Sequence, residues 1–297
     1  MKHWPILSTL LLTFAILAGC ATLDEQQRSW IFQPSDRSWG ASAELARDMQ
    51  DVWIAFDSKT TGRPVRLHGL WLPASKEQAG WSGNGAREAP LLLYLHGARW
   101  NVEGSAPRIR RMQELGFSVL AVDYRGFGKS SSGLPSENMA YEDAHAAWNW
   151  LAAHHPGQPR YIFGHSLGGA VAIALASRVT DEAGTIVEGT FTSIADVVDT
   201  MKWGWLPLRV LITQPFESVG KVARLGSPLL VVHGAKDTFI LPALGRKLYE
   251  AAKAPKAFVL VEGGSHFNTN ALGQAQYRRA LADLFGPQRS GEVLARR

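Results

Sequence analysis

Cysteine is nearly missing: Cys20 is the only one in 297 residues. One thiol cannot close an internal disulfide or build a cysteine metal cluster. The nine histidines include no H-E-x-x-H. The adjacent pair His154-His155 would point in different directions on a helix, which suits a solvated helix end better than a metal site. No metal and no cofactor is therefore expected. Long basic runs are also missing. The formal charge is +5, yet no run before the C-terminal tail exceeds Arg110-Arg111. Charge scattered in this way means mild attraction to an anionic membrane surface, or simply a solvated basic surface, and not a nucleic-acid partner. No internal repeat occurs. Gly128-Lys129-Ser130 imitates a P-loop, but that motif needs glycine six positions before the lysine and Asp123 stands there, so nucleotide binding is excluded.

The one apolar run outside the domain, from Ile6 to Ala18, is too short for a comfortable membrane span. It follows Lys2 and ends in Leu17-Ala18-Gly19-Cys20, as a secretory signal peptide does over residues 1–19. Leu-Ala-Gly-Cys resembles the lipobox of bacterial lipoproteins. That resemblance implies cleavage before Cys20, acylation of Cys20 and stable anchoring in the cell envelope. Ala21 in place of an aspartate leans toward the outer membrane, facing the periplasm. Residues 20–50 read as the lipidated cysteine and a polar tether. Within it, Trp30, Ile31, Phe32 and Trp39 pack on the domain or sit at the bilayer interface.

What the rest of the chain has is alternation. The apolar composition, 46%, and the length suit one large domain over residues 51–285. Residues 52–56 and 65–72 read as strands joined by a turn at Thr61-Gly62-Arg63-Pro64, and residues 74–90 as a surface loop. Strands are expected at 91–95, 119–122, 161–163, 185–188, 228–232 and 257–261, the first a continuous apolar run of the kind buried on both faces. Helices are expected between them: 105–115, 137–154 behind a Ser136 cap, 170–178, 242–253 and 271–285. Residues 190–217 read as a cap over a pocket, and residues 286–297 as a polar tail. Strands alternating with helices predict an α/β fold with a mostly parallel sheet flanked by helices, where chemistry gathers at the carboxyl ends of strands.

Gly164-His165-Ser166-Leu167-Gly168 fits G-x-S-x-G at the join of a strand and a buried helix. Such a turn strains the serine backbone and lifts its hydroxyl clear of the sheet, and side chains at 164 and 168 would collide with the neighbouring strand and helix. Asp237 and His266 follow, each just past a strand end. The order Ser166, Asp237, His266 is a nucleophile, an orienting acid and a general base. Glu188, ending another strand, is the reserve acid. The backbone N–H groups of Leu167 and Ala98 are the expected oxyanion donors. His96 fixes loop geometry. Asp123 and Arg125 read as a structural, buried pair near the site. Trp100, Trp203 and Trp205 line an apolar acyl pocket or pack in the core.

These stretches, with Leu93-Tyr94-Leu95-His96-Gly97, Asp123 to Ser130, Pro135-Ser136-Glu137, Glu188 to Ser193, His233 to Asp237 and Gly264-Ser265-His266, resemble the α/β-hydrolases. The likeness is to their membrane-associated branch, which includes depalmitoylating thioesterases and lysophospholipase-like enzymes. It implies a serine esterase or thioesterase acting on a small-molecule or lipid acyl ester. An amidase or peptidase on the same fold, and a non-catalytic lipoprotein scaffold, are the alternatives. Relatives often carry Asn-Ala-Gly-Asn after His-Gly, whereas Ala98-Arg99-Trp100-Asn101 stands here, which reshapes the pocket.

Overall fold

The computed structural model describes residues 19, 21–35, 42–75, 89–201, 208–253 and 255–286. The expected signal peptide (Gly19 apart), Cys20, Trp39, Trp203, Trp205 and the tail from residue 287 lie outside the described residues.

Eight strands form one sheet: β1 (Gln50–Asp57), β2 (Pro64–Leu72), β3 (Leu91–Leu95), β4 (Ser118–Val122), β5 (Arg160–His165), β6 (Gly184–Glu188), β7 (Leu229–Gly234) and β8 (Lys256–Val261). Their order is β1-β2-β4-β3-β5-β6-β7-β8. β1 and β2 are antiparallel, β2 runs antiparallel to β4, and every pair from β4 to β8 is parallel. Of the strands expected from residue 91 onward, β3, β4, β5, β6 and β7 are buried throughout, whereas β8 is only half-buried up to Val261, because it is an edge strand with a neighbour on one side alone. The five buried strands have helices on both faces and no solvent-facing side.

The helices are α1 over residues 21–32, α2 (Ser42–Ala46), α3 (Ala106–Glu114), α4 (Glu137–His154), α5 (Leu167–Ala176), α6 (Ile194–Asp199), α7 (Val219–Val222), α8 (Pro242–Ala251), α9 (Thr269–Leu272) and α10 (Gln274–Phe285), with a 3₁₀ turn at Leu208–Leu211. The period-two rule of strands splits the core. Leu91, Leu93 and Leu95 of β3 face one apolar layer with α4 and the wholly buried α5. Leu92 and Tyr94 face the other, with Ile109 and Met112 of α3 and Tyr277 of α10. The Ser136 hydroxyl accepts from the Met139 amide at 3.3 Å and caps α4.

The tether and the last helix differ from expectation. Residues 21–32 are helical, and Phe32 is fully buried against Phe127 and Phe216. Local polarity concealed the helix, because it buries only its last turn, while Ile31 and Phe32 pack on the domain, one of the two placements expected for them. The helix expected over 271–285 is two. Gly273 breaks it where a Cβ would lie 2.9 Å from both the Thr269 carbonyl oxygen and Val261. Asp123 and Arg125 are buried but do not pair with each other. Asp123 accepts from the Val102 amide at 2.8 Å and lies 3.5 Å from both His68 and His96. Arg125 instead donates to Asp143 and Glu142 of α4, at 2.8 and 2.6 Å. A planar guanidinium with five donors gains more from these carboxylates on the facing helix than from a residue two positions back on its own chain.

Chain order reverses between β3 and β5. Their carboxyl ends lie side by side, with Leu95 opposite Gly164. The diverging connections open a crevice at such a switch point, and this one sits between His96-Gly97 and Ser166.

Burial alone would push the Glu142 carboxyl up. The Ser58 hydroxyl, Arg125 and the Thr60 and Lys59 amides outweigh it and hold its pKa at about 2. A depressed carboxylate stabilises the fold above its unfolded pKa, and that contribution is lost as pH falls through the folded value. Between the ordinary value of 4.5 and about 2, the midpoint of urea unfolding should drop steadily, and Glu142→Gln should flatten that slope.

Candidate active site

Ser166 sits between β5 and α5 at φ 56°, ψ −121°. A non-glycine residue reaches this region only at a cost of order 1–3 kcal/mol, so the surroundings must hold it there. The Ser166 amide donates to the Glu188 carbonyl at 2.9 Å, and its carbonyl accepts from the Thr190 hydroxyl at 2.8 Å. The turn closes only because its glycines lack side chains. A Cβ on Gly164 would lie 2.2 Å from the Gly168 carbonyl oxygen, and one on Gly168 would lie 2.1 Å from that of Leu95.

The structure brings Ser166, His266 and Asp237 together. The Ser166 hydroxyl lies 3.0 Å from His266 Nε2, and His266 Nδ1 lies 2.8 Å from Asp237 Oδ2. All three are buried. Burial alone would raise the Asp237 carboxyl. Hydrogen bonds from His233 and His266, the imidazole's charge and the Ile240 amide outweigh it and hold Asp237 well below the usual carboxylate range. Asp237 Oδ1 also accepts from the Phe239 and Ile240 amides at 2.9 and 2.8 Å. An ionised Asp237 accepts a hydrogen bond from His266 Nδ1–H. Nε2 is then left as the acceptor for the serine hydroxyl, as proton abstraction requires.

Ala98 lies in the loop after β3 and Leu167 opens α5. Among the described residues, neither amide donates to another protein group. Both residues line the cavity that contains Ser166. Two free N–H groups beside a nucleophile suit a developing oxyanion. His96 remains in its loop, with Nδ1 2.6 Å from the Gly97 oxygen and its ring against Tyr124 and Phe127. Glu188 is committed elsewhere: it accepts from Arg108 Nε at 3.0 Å and from the Tyr277 hydroxyl at 2.5 Å.

Arg108 and His165 went unread in the sequence. The His165 Nε2–H donates to the His266 carbonyl at 3.0 Å, and Arg108 donates to the next carbonyl, Phe267, at 3.3 Å. Two successive carbonyls of the histidine loop are thus gripped from below. Burial, Arg108 and His266 push the His165 imidazole well below its ordinary range, so it acts as a neutral donor. Burial also works against the charge of Arg108. Glu188, with Tyr94 and Tyr277, more than restores it. The available signal was position: Arg108 shares the buried face of α3 with Ile109 and Met112, where a charge needs a partner.

The cavity over Ser166 has a volume of about 240 Å³. Its walls are mainly apolar, with Phe191, Ile194 and Val197 from the cap and Phe239 beside His266. Trp100 lies at its mouth, half-exposed and stacked on Phe267. α1 adds Trp30 and Ile31. The Phe32 carbonyl accepts from the Arg99 amide at 2.9 Å, and Arg99 is held at φ 76°. Among the described lining residues there is no carboxylate, whereas Arg99 and Arg108 are both present.

Comparison with known proteins agrees with this architecture. Residues 87–218 match the family model described as serine aminopeptidase, S33. The uncharacterized protein MT2364 of Mycobacterium tuberculosis is 32% identical over 92% of each chain. The zebrafish (Danio rerio) lysophosphatidylserine lipase ABHD12 is 32% identical over 64% of this chain and 54% of its own length. Among solved structures, the Pyrococcus furiosus esterase Pf2001 superimposes with a TM-score of 0.64 at 21% identity. The match covers 86% of this chain and 97% of the esterase, and it is a likeness of fold.

Removing Arg108 would strand Glu188 in the interior. Arg108→Met is expected to lower unfolding free energy by about 3–5 kcal/mol, the usual cost of breaking one side of a buried pair. Arg108→Met combined with Glu188→Leu should recover most of that loss. A urea double-mutant cycle measures the coupling.

Proposed function

The chain belongs to the α/β-hydrolase family, and from there we propose that it is a serine hydrolase cleaving carboxylic ester or thioester bonds of acyl lipids. The observation that carries this reading is the relay from Ser166 through His266 to Asp237, at 3.0 and 2.8 Å, beside two free amides.

His266 Nε2 takes the hydroxyl proton as Ser166 Oγ attacks the acyl carbon. The carbonyl oxygen becomes an oxyanion facing the Ala98 and Leu167 amides. One such donor is worth about 3–4 kcal/mol of transition-state stabilisation. Collapse breaks the bond to the leaving alcohol or thiol, which receives the proton from His266 and departs. Water, deprotonated by the same nitrogen, then attacks the acyl-serine, and collapse releases the acid and restores the hydroxyl. Asp237 stays ionised throughout and stabilises the imidazolium.

An apolar cavity suits an acyl chain. The lysophosphatidylserine lipase among the relatives supports a lipid ester. An aminopeptidase must seat a substrate ammonium, which requires a carboxylate. The described lining offers none, and its unpaired cation is Arg99, since Arg108 is paired with Glu188, so the charge favours esters with a neutral or anionic alcohol.

A fluorophosphonate probe should label the wild-type chain and leave Ser166→Ala and His266→Ala unlabelled. Each variant should also lose on the order of 10⁶-fold in ester hydrolysis. An unchanged rate in Ser166→Ala would refute the mechanism. Matched ester and amide substrates separate the ester reading from the amidase alternative.

The placement in the cell belongs to the same proposal: a lipoprotein acylated on Cys20, held in the envelope and facing the periplasm. It rests on Leu17-Ala18-Gly19-Cys20 after the apolar run. In a bacterial host fed alkyne-palmitate, the full-length chain should take up label and Cys20→Ser should not. Equal labelling of the two would rule the anchor out.

A further inference from the structure

Large apolar side chains are exposed around one opening of the molecule. Trp30, Trp100, Phe239 and Phe267 all line the cavity over Ser166 while remaining partly open to solvent, Phe267 by 61%. They are physically linked. Trp100 stacks on Phe267, and both Phe267 and Phe239 contact the His266 ring. The apolar surface continues past the cavity. One turn before Trp30, Gln27 donates to the Leu211 carbonyl at 2.6 Å and accepts from the Thr213 amide at 2.9 Å. This brings the turn carrying Val210 and Leu211, 86% and 51% exposed, against the helix that walls the opening. Exposed apolar side chains gathered at one opening mark a binding face.

Two features identify the occupant. The first is charge: the described lining combines aromatic rings with Arg99, whose guanidinium lies 5.7 Å over the Phe239 ring, and includes no carboxylate. Aromatic rings with a cation and no acid complement the interface of a phospholipid layer, where the rings sit at headgroup level and the cation meets phosphate. The second is chain direction. Cys20, the residue acylated under the proposed placement, leads directly into α1 over residues 21–32. A helix rises about 1.5 Å per residue, so the acylated end of the chain lies roughly 15 Å along it from Trp30.

We propose that the rim formed by Trp30, Trp100, Phe239, Phe267, Val210 and Leu211 seats the opening on a phospholipid bilayer, so that an acyl ester enters from the membrane without crossing water. Its kinetic test rests on the hydrolase reading; its binding test does not.

The probe is a vesicle of palmitoyl-oleoyl-phosphatidylcholine, and the protein is the full-length chain. The variant is Val210→Asp with Leu211→Asp, two exposed side chains outside the cavity. The wild type should hydrolyse methylumbelliferyl oleate dissolved in the vesicle. In the double variant that rate should fall by about tenfold or more, as expected when charges replace apolar anchors at an interface. The rate on water-dissolved nitrophenyl acetate should stay within about twofold of wild type, which also shows that the variant folds. In vesicles of brominated phosphatidylcholine, tryptophan fluorescence should be quenched less in the variant than in the wild type.

An unchanged ratio of vesicle to water rates, or equal quenching, overturns the proposal. So does a wild-type dimer in sedimentation equilibrium that the variant loses, because the rim then meets a second copy. If the wild type cleaves neither ester, the hydrolase reading fails, and the quenching comparison still decides the docking.

Discussion

The strained backbone at Ser166 is the constraint on which the site depends. At φ 56° the residue occupies a region that side chains disfavour. The turn is held by three neighbours: the Glu188 carbonyl, the Thr190 hydroxyl and the close approach of Gly168 to the end of β3. The first two belong to the end of β6 and the loop that follows it, the third to β3. The serine is therefore positioned by β3, β5 and β6 together, and the hydroxyl projects where the parallel strands end. The same close approach sets the Leu167 amide, at the start of α5, beside the loop that carries Ala98.

From that point the polar network spreads in one direction only. Glu188 accepts the serine amide with its backbone and Arg108 with its side chain, and Arg108 reaches the carbonyl after His266. His165, next to Ser166, holds the His266 carbonyl itself. The elbow and the histidine loop are thus joined through buried donors and acceptors, and a buried network of this kind rigidifies only when its members are satisfied. Above the network the surroundings turn apolar: the cap, the end of α1 and the rings beside His266. The site thus has a polar floor and an apolar opening.

Legibility followed the range of the interactions. Sheet strands were readable because burial on both faces demands continuous apolar runs, and β3 and β4 appear at nearly the positions the runs mark. Ser166, Asp237 and His266 were readable because each stands just beyond a strand end, in turn chemistry specific to its role. Arg125 was singled out but its partners were not, since Asp143 and Glu142 approach it from another helix. The break at Gly273 was missed because it depends on contacts with Val261 of β8. Trp203 and Trp205 lie outside the described residues, and only Trp100 of the three expected aromatics can be placed at the cavity.

The sequence by itself determined the α/β alternation, the elbow and the order of the three polar residues, because strand burial, glycine turns and local motif chemistry are short-range properties. The sequence also put Asp237 ahead of Glu188, but only the tertiary structure decided what occupies Glu188 and what surrounds the opening. Glu188 and Asp237 both end strands, and the difference between them is that Arg108 and Tyr277 occupy the first while His266 reaches the second. The contribution of residues 21–32 to the cavity wall has the same origin. Phe32 finds Phe127 and Phe216, neighbours far away in the chain, and no local pattern encodes a contact across that distance.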